Sequence, residues 1–412
     1  MAYGVTVHSP IPHEQPLLVD RSAHLRDTAD LAAATAIVVH DGAVLADGGG
    51  PVRVRPEDRP RSSLTVYLGR ADGEDLVAVV AAEEPTAPAA AEEAGDAGLT
   101  AECLLELGTA LVHAVHSHDD EGAVVLAGAI AAATEAGHDA VASRALAEVG
   151  YVDVLSGRRV TAALHLEWAR EVAGEDRGLL ATVASFEGAD LHDRGRLDEA
   201  AARFRESIAD AHATGKARRE AWALGVGART MYWRGELVEA RDWATRALEI
   251  IAQERWTAYQ PWVEAWRAQT ELALGRDPGE VRADLEATFA LSCQLSDACW
   301  QGMSAKVMAL ACAAQGQRED AELWMRTAAA SCSRETDAYV WVRADVALEH
   351  AALALGWGDL DAARALAEDA RAIAARAGLE AMLGGATALI DRAEPPRRSL
   401  GIPSAIGAVG PA

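Results

Sequence analysis

From about residue 99 to residue 392 the apolar positions of this chain recur every three or four residues. Leu197, Ala200, Ala201, Phe204 and Ile208 form one such stripe, and Leu237, Ala240, Ala244, Leu248 and Ile251 form another. This spacing puts each set on one face of an α-helix. The stripes are punctuated by six glycines, Gly157, Gly195, Gly235, Gly275, Gly316 and Gly358, separated by 38, 40, 40, 41 and 42 residues. After five of them an alanine follows at the fifth position: Ala162, Ala200, Ala240, Ala321 and Ala363. A glycine at the turn allows left-handed φ at a helix end, and a small residue one turn later lets a neighbouring helix come close. Each glycine is therefore placed between the two helices of a hairpin. A second set of breaks separates one hairpin from the next: Gly137-His138-Asp139, Gly174-Glu175-Asp176, Thr214-Gly215-Lys216, Ser296-Asp297, Thr336-Asp337 and Gly378. The pattern predicts about six or seven helix pairs stacked as an α-solenoid, since a single pair cannot bury its apolar face alone.

The preceding segment has a different period. Ile37-Val38-Val39-His40 and Ala43-Val44-Leu45 flank Asp41-Gly42, while Leu64 to Leu68 and Leu76 to Val80 flank a turn with Asp72-Gly73. Asp-Gly between β-branched runs predicts hairpins. With a helix over about 21–34, residues 1–82 read as a small α/β domain. Residues 83–98, rich in Ala, Glu and Pro, read as a linker. Residues 99–393 form the repeat domain, and the Pro- and Gly-rich residues 394–412 are expected to be a disordered tail.

Composition narrows the function classes. A formal charge of -25 argues against a broad phosphate-tracking surface. No apolar run reaches the length of a bilayer span, and Met1-Ala2-Tyr3-Gly4-Val5 lacks the basic start and apolar core of a signal peptide. Five cysteines without CxxC spacing suggest reduced thiols serving as small core residues in a cytoplasmic protein.

The stretch from Gly188 to Ile208 resembles the tetratricopeptide repeat, with glycine in the first helix, a short turn and alanine in the second. The period here is nearer 40 than that family's 34, and Glu280 stands where an alanine is expected after Gly275. Glu254-Arg255-Trp256, Gln260-Pro261-Trp262, Asp297 to Gly302 and Asp337 to Val342 resemble the helical-repeat region of large LuxR-type bacterial transcription regulators. That resemblance implies a regulatory role. However, no GxxxxGK[ST] phosphate loop and no helix-turn-helix after Ala393 accompany it. Asp20 to Arg26, Ala36 to Ala46 and Tyr67-Leu68-Gly69-Arg70 resemble the non-catalytic N-terminal domain of Nudix NADH pyrophosphatases. The catalytic Nudix box is broken: Glu92-Glu93-Ala94-Gly95 imitates its end, but Glu74, Pro88 and Ala89 occupy required positions.

Candidate chemistry is sparse. His113, His116 and His118, followed by Asp119-Asp120-Glu121, form the most metal-like cluster. The competing reading is a helix C-terminus at which histidines favour the dipole, and no metal or cofactor is assigned. All eleven tryptophans lie between Trp168 and Trp357. Trp256 and Trp262 near Pro261, Tyr232 and Trp233, and Arg229 and Arg218 are the candidates for gripping a partner, because aromatic and Arg side chains anchor interfaces. Core packing of the rings, and pairing of the arginines with Glu220, Glu236 and Glu239, are the competing readings. Of the ring pair, Trp266 is assigned to the core and Trp262 to contact. The combined expectation is a non-enzymatic interaction or regulatory module that binds a protein or peptide on its concave repeat surface, without nucleic acid or membrane. The alternatives are a small-molecule sensor and a nucleotide-directed hydrolase.

Overall fold

The computed structural model describes residues 37–40, 43–46, 64–67, 97–113, 119–295, 297–332 and 340–393. Three short strands come first: β1 (Ile37–His40), β2 (Ala43–Ala46) and β3 (Leu64–Tyr67). They form one antiparallel sheet of order β2-β1-β3, with His40 opposite Ala43 and Leu64. The hairpin expected around Asp41-Gly42 is thus present. The expected helix at 21–34 and the strand at 76–80 lie outside the described residues, as do most of the linker and all of the tail.

The rest is helical: α1 (Ala97–His113), α2 (Asp119–Ala136), α3 (Asp139–Leu155), α4 (Arg159–Ala173), α5 (Arg177–Asp193), α6 (Leu197–Ala213), α7 (Ala217–Trp233) and α8 (Leu237–Gln253). These are followed by α9 (Gln260–Ala273), α10 (Pro278–Gln294), α11 (Ala298–Ala314), α12 (Arg318–Cys332), α13 (Val340–Gly356), α14 (Leu360–Ala377) and α15 (Glu380–Ala393). Among the described residues, seven hairpins and a final single helix make the expected α-solenoid.

All six repeat glycines fall inside a hairpin, each with φ between +73° and +88°. The turn after α5 shows why the chain stops there. Gly195 N–H donates to the His192 carbonyl and Arg196 N–H to the Leu191 carbonyl, a closing pair that requires left-handed φ at the glycine. The alanines five residues later, Ala162, Ala200, Ala240, Ala321 and Ala363, are fully buried. Gly275 departs from this rule for a physical reason. Its turn, residues 274–277, is one residue longer than the others, so Val281 rather than Glu280 is the buried residue.

The two helices of each hairpin are buried differently. Even-numbered α4, α6 and α8 bury one stripe, whereas α3, α5, α7 and α11 are buried around most of their circumference. One side of each odd helix meets the even layer. The other side faces the odd helices, which touch in the order α5, α7, α9, α11, α13 and α15, and α15 returns to α5. The superhelix therefore closes into a ring of six helices. At the seam, Arg159 at the start of α4 donates to the Ala377 carbonyl at the end of α14, at 3.0 and 3.2 Å.

Candidate functional site

The axis of this ring is filled by side chains that a core rarely contains. Lys306 on α11 is fully buried; its Nζ lies 2.5 Å from Asp345 Oδ2 on α13 and 4.8 Å above the Trp266 ring. Glu349, one turn after Asp345, accepts from Gln269 Nε2 at 3.2 Å. Burial, reinforced by Asp345, pushes the Glu349 carboxyl above its usual range even though Lys306 opposes this. Buried charges are costly unless they are paired, so this group is a functional candidate on physical grounds.

Aromatic rings join these charges across the axis. Trp262 on α9 lies 5.0 Å from Trp341 on α13, 5.1 Å from Trp300 on α11 and 6.2 Å from Trp266, centroid to centroid. Arg229 on α7 stacks on Trp341 with its guanidinium carbon 4.4 Å from the ring centre. Its Nη1 reaches Asp193 Oδ1 at 3.4 Å, and the other oxygen of Asp193 accepts from Arg159 at 3.0 Å. His192, beside them on α5, bonds Thr230 through Nδ1 at 2.9 Å. Burial, together with the positive charges of Arg229 and Arg159, holds its imidazole well below the usual pKa. Six buried polar atoms around the axis have no hydrogen-bond partner in the protein: Trp262 Nε1, Trp266 Nε1, Arg229 Nε, His192 Nε2, Gln269 Oε1 and Ser304 Oγ.

The same odd-helix surface continues towards α1 as a stacked ladder of His113, Tyr151 and Phe186 that meets Trp222 edge-on. Arg219 lies over Phe186 and Trp222. Burial works to raise Glu148, but its contacts with His113 at 2.7 Å and with Arg219 outweigh burial and lower it. A separate surface depression of about 570 Å³ is lined by residues 235–239, Asp242 and Trp243, and none of the axis charges reach it.

The sequence candidates are distributed as follows. Trp262, assigned to contact, is 3% exposed, and Trp266, assigned to the core, is 1% exposed. The first assignment is corrected as to exposure: Pro261 does occupy the first turn of α9, but the adjacent ring turns inward onto Trp341. Arg229 is likewise no solvated side chain. Tyr232 is half-buried against Trp266 at 5.6 Å, and Trp233 meets His192 edge-on at 6.0 Å. Trp256 and Arg218 lie apart from the axis: Trp256 stacks on Tyr259 at 4.7 Å, and Arg218 lies over Trp256 and near Glu254. His113 turns to Glu148, while His116 and His118 lie outside the described residues. Among the described residues no group of three metal-ligating side chains is assembled. Cys103, Cys299, Cys312 and Cys332 are buried as expected, but Cys293 is exposed rather than in the core. Sequence reasoning missed Lys306, Asp345, Glu349, Gln269, Asp193 and His192. A usable signal existed for one of them: Lys306 is one of only two lysines and interrupts the run Met303-Ser304-Ala305-Lys306-Val307-Met308.

No protein-family model matches the sequence, and no curated protein sequence matches it significantly. Among solved structures, a Rap protein complexed with Competence and Sporulation Factor is similar in fold. It is 13% identical, with a TM-score of 0.55, and the match covers 71% of this chain and 85% of that one. The apo form of RapI, also 13% identical, matches over 74% of this chain and 83% of that one with a TM-score of 0.38. The first of these matches supports the helical-repeat, TPR-like fold, and none of the comparisons supports the LuxR-type or Nudix resemblances. Among the described residues no helix is long and apolar enough to cross a membrane.

Proposed function

We propose that the protein is a non-catalytic regulatory repeat protein that binds a peptide or a peptide segment of a partner against the odd-helix side chains that meet at the ring axis. The carrying observation is the axis cluster itself. Buried ionised and aromatic side chains from α5, α7, α9, α11 and α13 converge there, and six polar atoms among them lack a partner. A protein stabilised only by packing gains nothing from unmet hydrogen-bonding groups. A ligand that meets them on binding gains both affinity and orientation. That a Rap protein similar in fold was solved in complex with Competence and Sporulation Factor, a peptide, supports a peptide partner. The enclosure of the axis favours a second reading, a small-molecule sensor in which a ligand shifts helix packing.

The test is hydrogen exchange on the protein with synthetic peptide mixtures. Protection concentrated on α7, α9 and α13 supports the axis. Protection confined to the outer faces of the even helices sinks it, and Mg²⁺-dependent turnover of ATP or NADH sinks the non-catalytic reading.

A further inference from the structure

The axis donors show what kind of group they await. Three of the six unmet atoms, Trp262 Nε1, Trp266 Nε1 and Arg229 Nε, can only donate, while Gln269 Oε1 can only accept. The surplus calls for a ligand rich in acceptors. The local charges point the same way. Arg229 has one contact to an anion, at 3.4 Å, and that carboxylate, Asp193, is already engaged by Arg159 at 3.0 Å. Asp190, the neighbouring carboxylate, is held by Arg159 and Arg194. Asp345 is taken by Lys306. Around the seam and axis, Arg159, Arg194, Arg229 and Lys306 thus face Asp190, Asp193, Asp345 and a Glu349 whose surroundings favour its neutral form. His192 is kept uncharged between Arg229 and Arg159. Arg229 also feels Asp345 beyond Asp193, but its Nε side meets no partner. The guanidinium carbon lies 4.4 Å from the centre of the Trp341 ring, which also contacts Trp262, so Arg229 and Trp262 share one ring.

We propose that Arg229 is the receptor for a carboxylate of the bound peptide, with the indole N–H groups of Trp262 and Trp266 donating to the same acceptor-rich end. This rests on the axis-binding reading above and deepens it. A charge-assisted bond to a buried guanidinium is the strong kind, and the low-polarity aromatic surround increases its contribution.

Three synthetic mixtures of short peptides separate the possibilities: free-acid peptides lacking Asp and Glu, the same peptides with amidated C-termini, and amidated peptides containing Asp and Glu. Bound fractions are read by native mass spectrometry, and Trp emission is followed in parallel. The proposal expects retention of the first mixture if the carboxylate is terminal, or of the third if it belongs to a side chain, and little retention of the second. Arg229→Gln should weaken retention roughly 10- to 100-fold, the loss expected for one hydrogen bond to a charged group. Because Arg229→Gln alters a buried pair, Trp262→Phe with Trp266→Phe provides a second variant. It keeps aromatic rings at both sites and removes both donors, and it too should weaken retention. Retention of the second mixture, which carries no carboxylate, equal to that of the first and third, and lost in the Phe variant, would overturn the carboxylate assignment and leave the axis reading standing. Retention by folded Arg229→Gln equal to that of the wild type would also overturn it. If no mixture is retained, both readings fall.

Discussion

Ala200 and Glu199 are neighbours in sequence with opposite fates. Ala200 is fully buried in the turn packing, and Glu199 is exposed beside Arg196. Ala200→Glu should cost about 3 kcal/mol or more, because it forces a charge into a helix contact. Glu199→Ala should leave stability nearly unchanged, since an exposed pair contributes little. Urea melts of both variants check the assigned face, and equal effects would contradict it. Trp262→Ala should cost about 3–5 kcal/mol, as Trp266→Ala does, because both rings are buried; an unchanged melting temperature would show that the Trp262 ring is not held in the axis. His192 gives a pH signature. Its folded pKa lies well below 6.5, so the unfolded chain takes up a proton that the folded one refuses. Its stabilising contribution is complete above about 6.5 and is lost progressively as pH falls from there towards the lower folded value, at up to about 1.4 kcal/mol per pH unit. Thermal melts from pH 7.5 to 5.5 should show this slope, and His192→Asn should flatten it. An unaltered slope would place the titration elsewhere.

Helices and turns were the legible part of this chain, because their causes are local. A left-handed glycine, an alanine five residues on and an apolar stripe all lie within about two turns of one another, and all six repeat glycines adopt positive φ. Even the apparent exception after Gly275 reduces to one extra turn residue that brings Val281 inward. The axis was not legible because its contacts join distant hairpins: Lys306 meets Asp345, Gln269 meets Glu349, and Trp262 meets Trp341. Nothing in a helical period says which buried face will meet a second layer of helices and which will meet the axis. The glycines themselves allow a test at this scale. A Cβ at Gly235 meets no atom within 4 Å, whereas at Gly157 it would lie 2.7 Å from the Ala377 carbonyl oxygen and 2.8 Å from its Cα. Gly235→Ala should therefore cost only its left-handed backbone strain, about 1 kcal/mol. Gly157→Ala should cost clearly more, because backbone must move at the seam. Equal costs in denaturant melts would mean that α14 does not rest on this turn.

A solenoid whose repeats touch only their neighbours has additive stability and tolerates loss of its last unit. Closure changes that, because α15 packs on α13 and also returns to α5, while the end of α14 accepts two bonds from Arg159. The final helix therefore acts as a wedge between the first and last units of the ring. Deleting residues 379–412 removes α15 and leaves every hairpin intact. Circular dichroism should still show a mainly helical protein, because the helix pairs are stabilised within and between adjacent repeats. The radius of gyration from small-angle scattering should rise as the ring opens. Trp emission should shift to the red, since Trp262, Trp266 and Trp341 are buried only while α7, α9 and α13 face one another across the axis. Loss of all cooperative unfolding would mean that the ring is a single folding unit rather than a closed array of repeats. Unchanged scattering and emission would show that the contacts of α7 and α9 with α13 hold the axis without the seam, and α15 would then have no part in shaping the binding site.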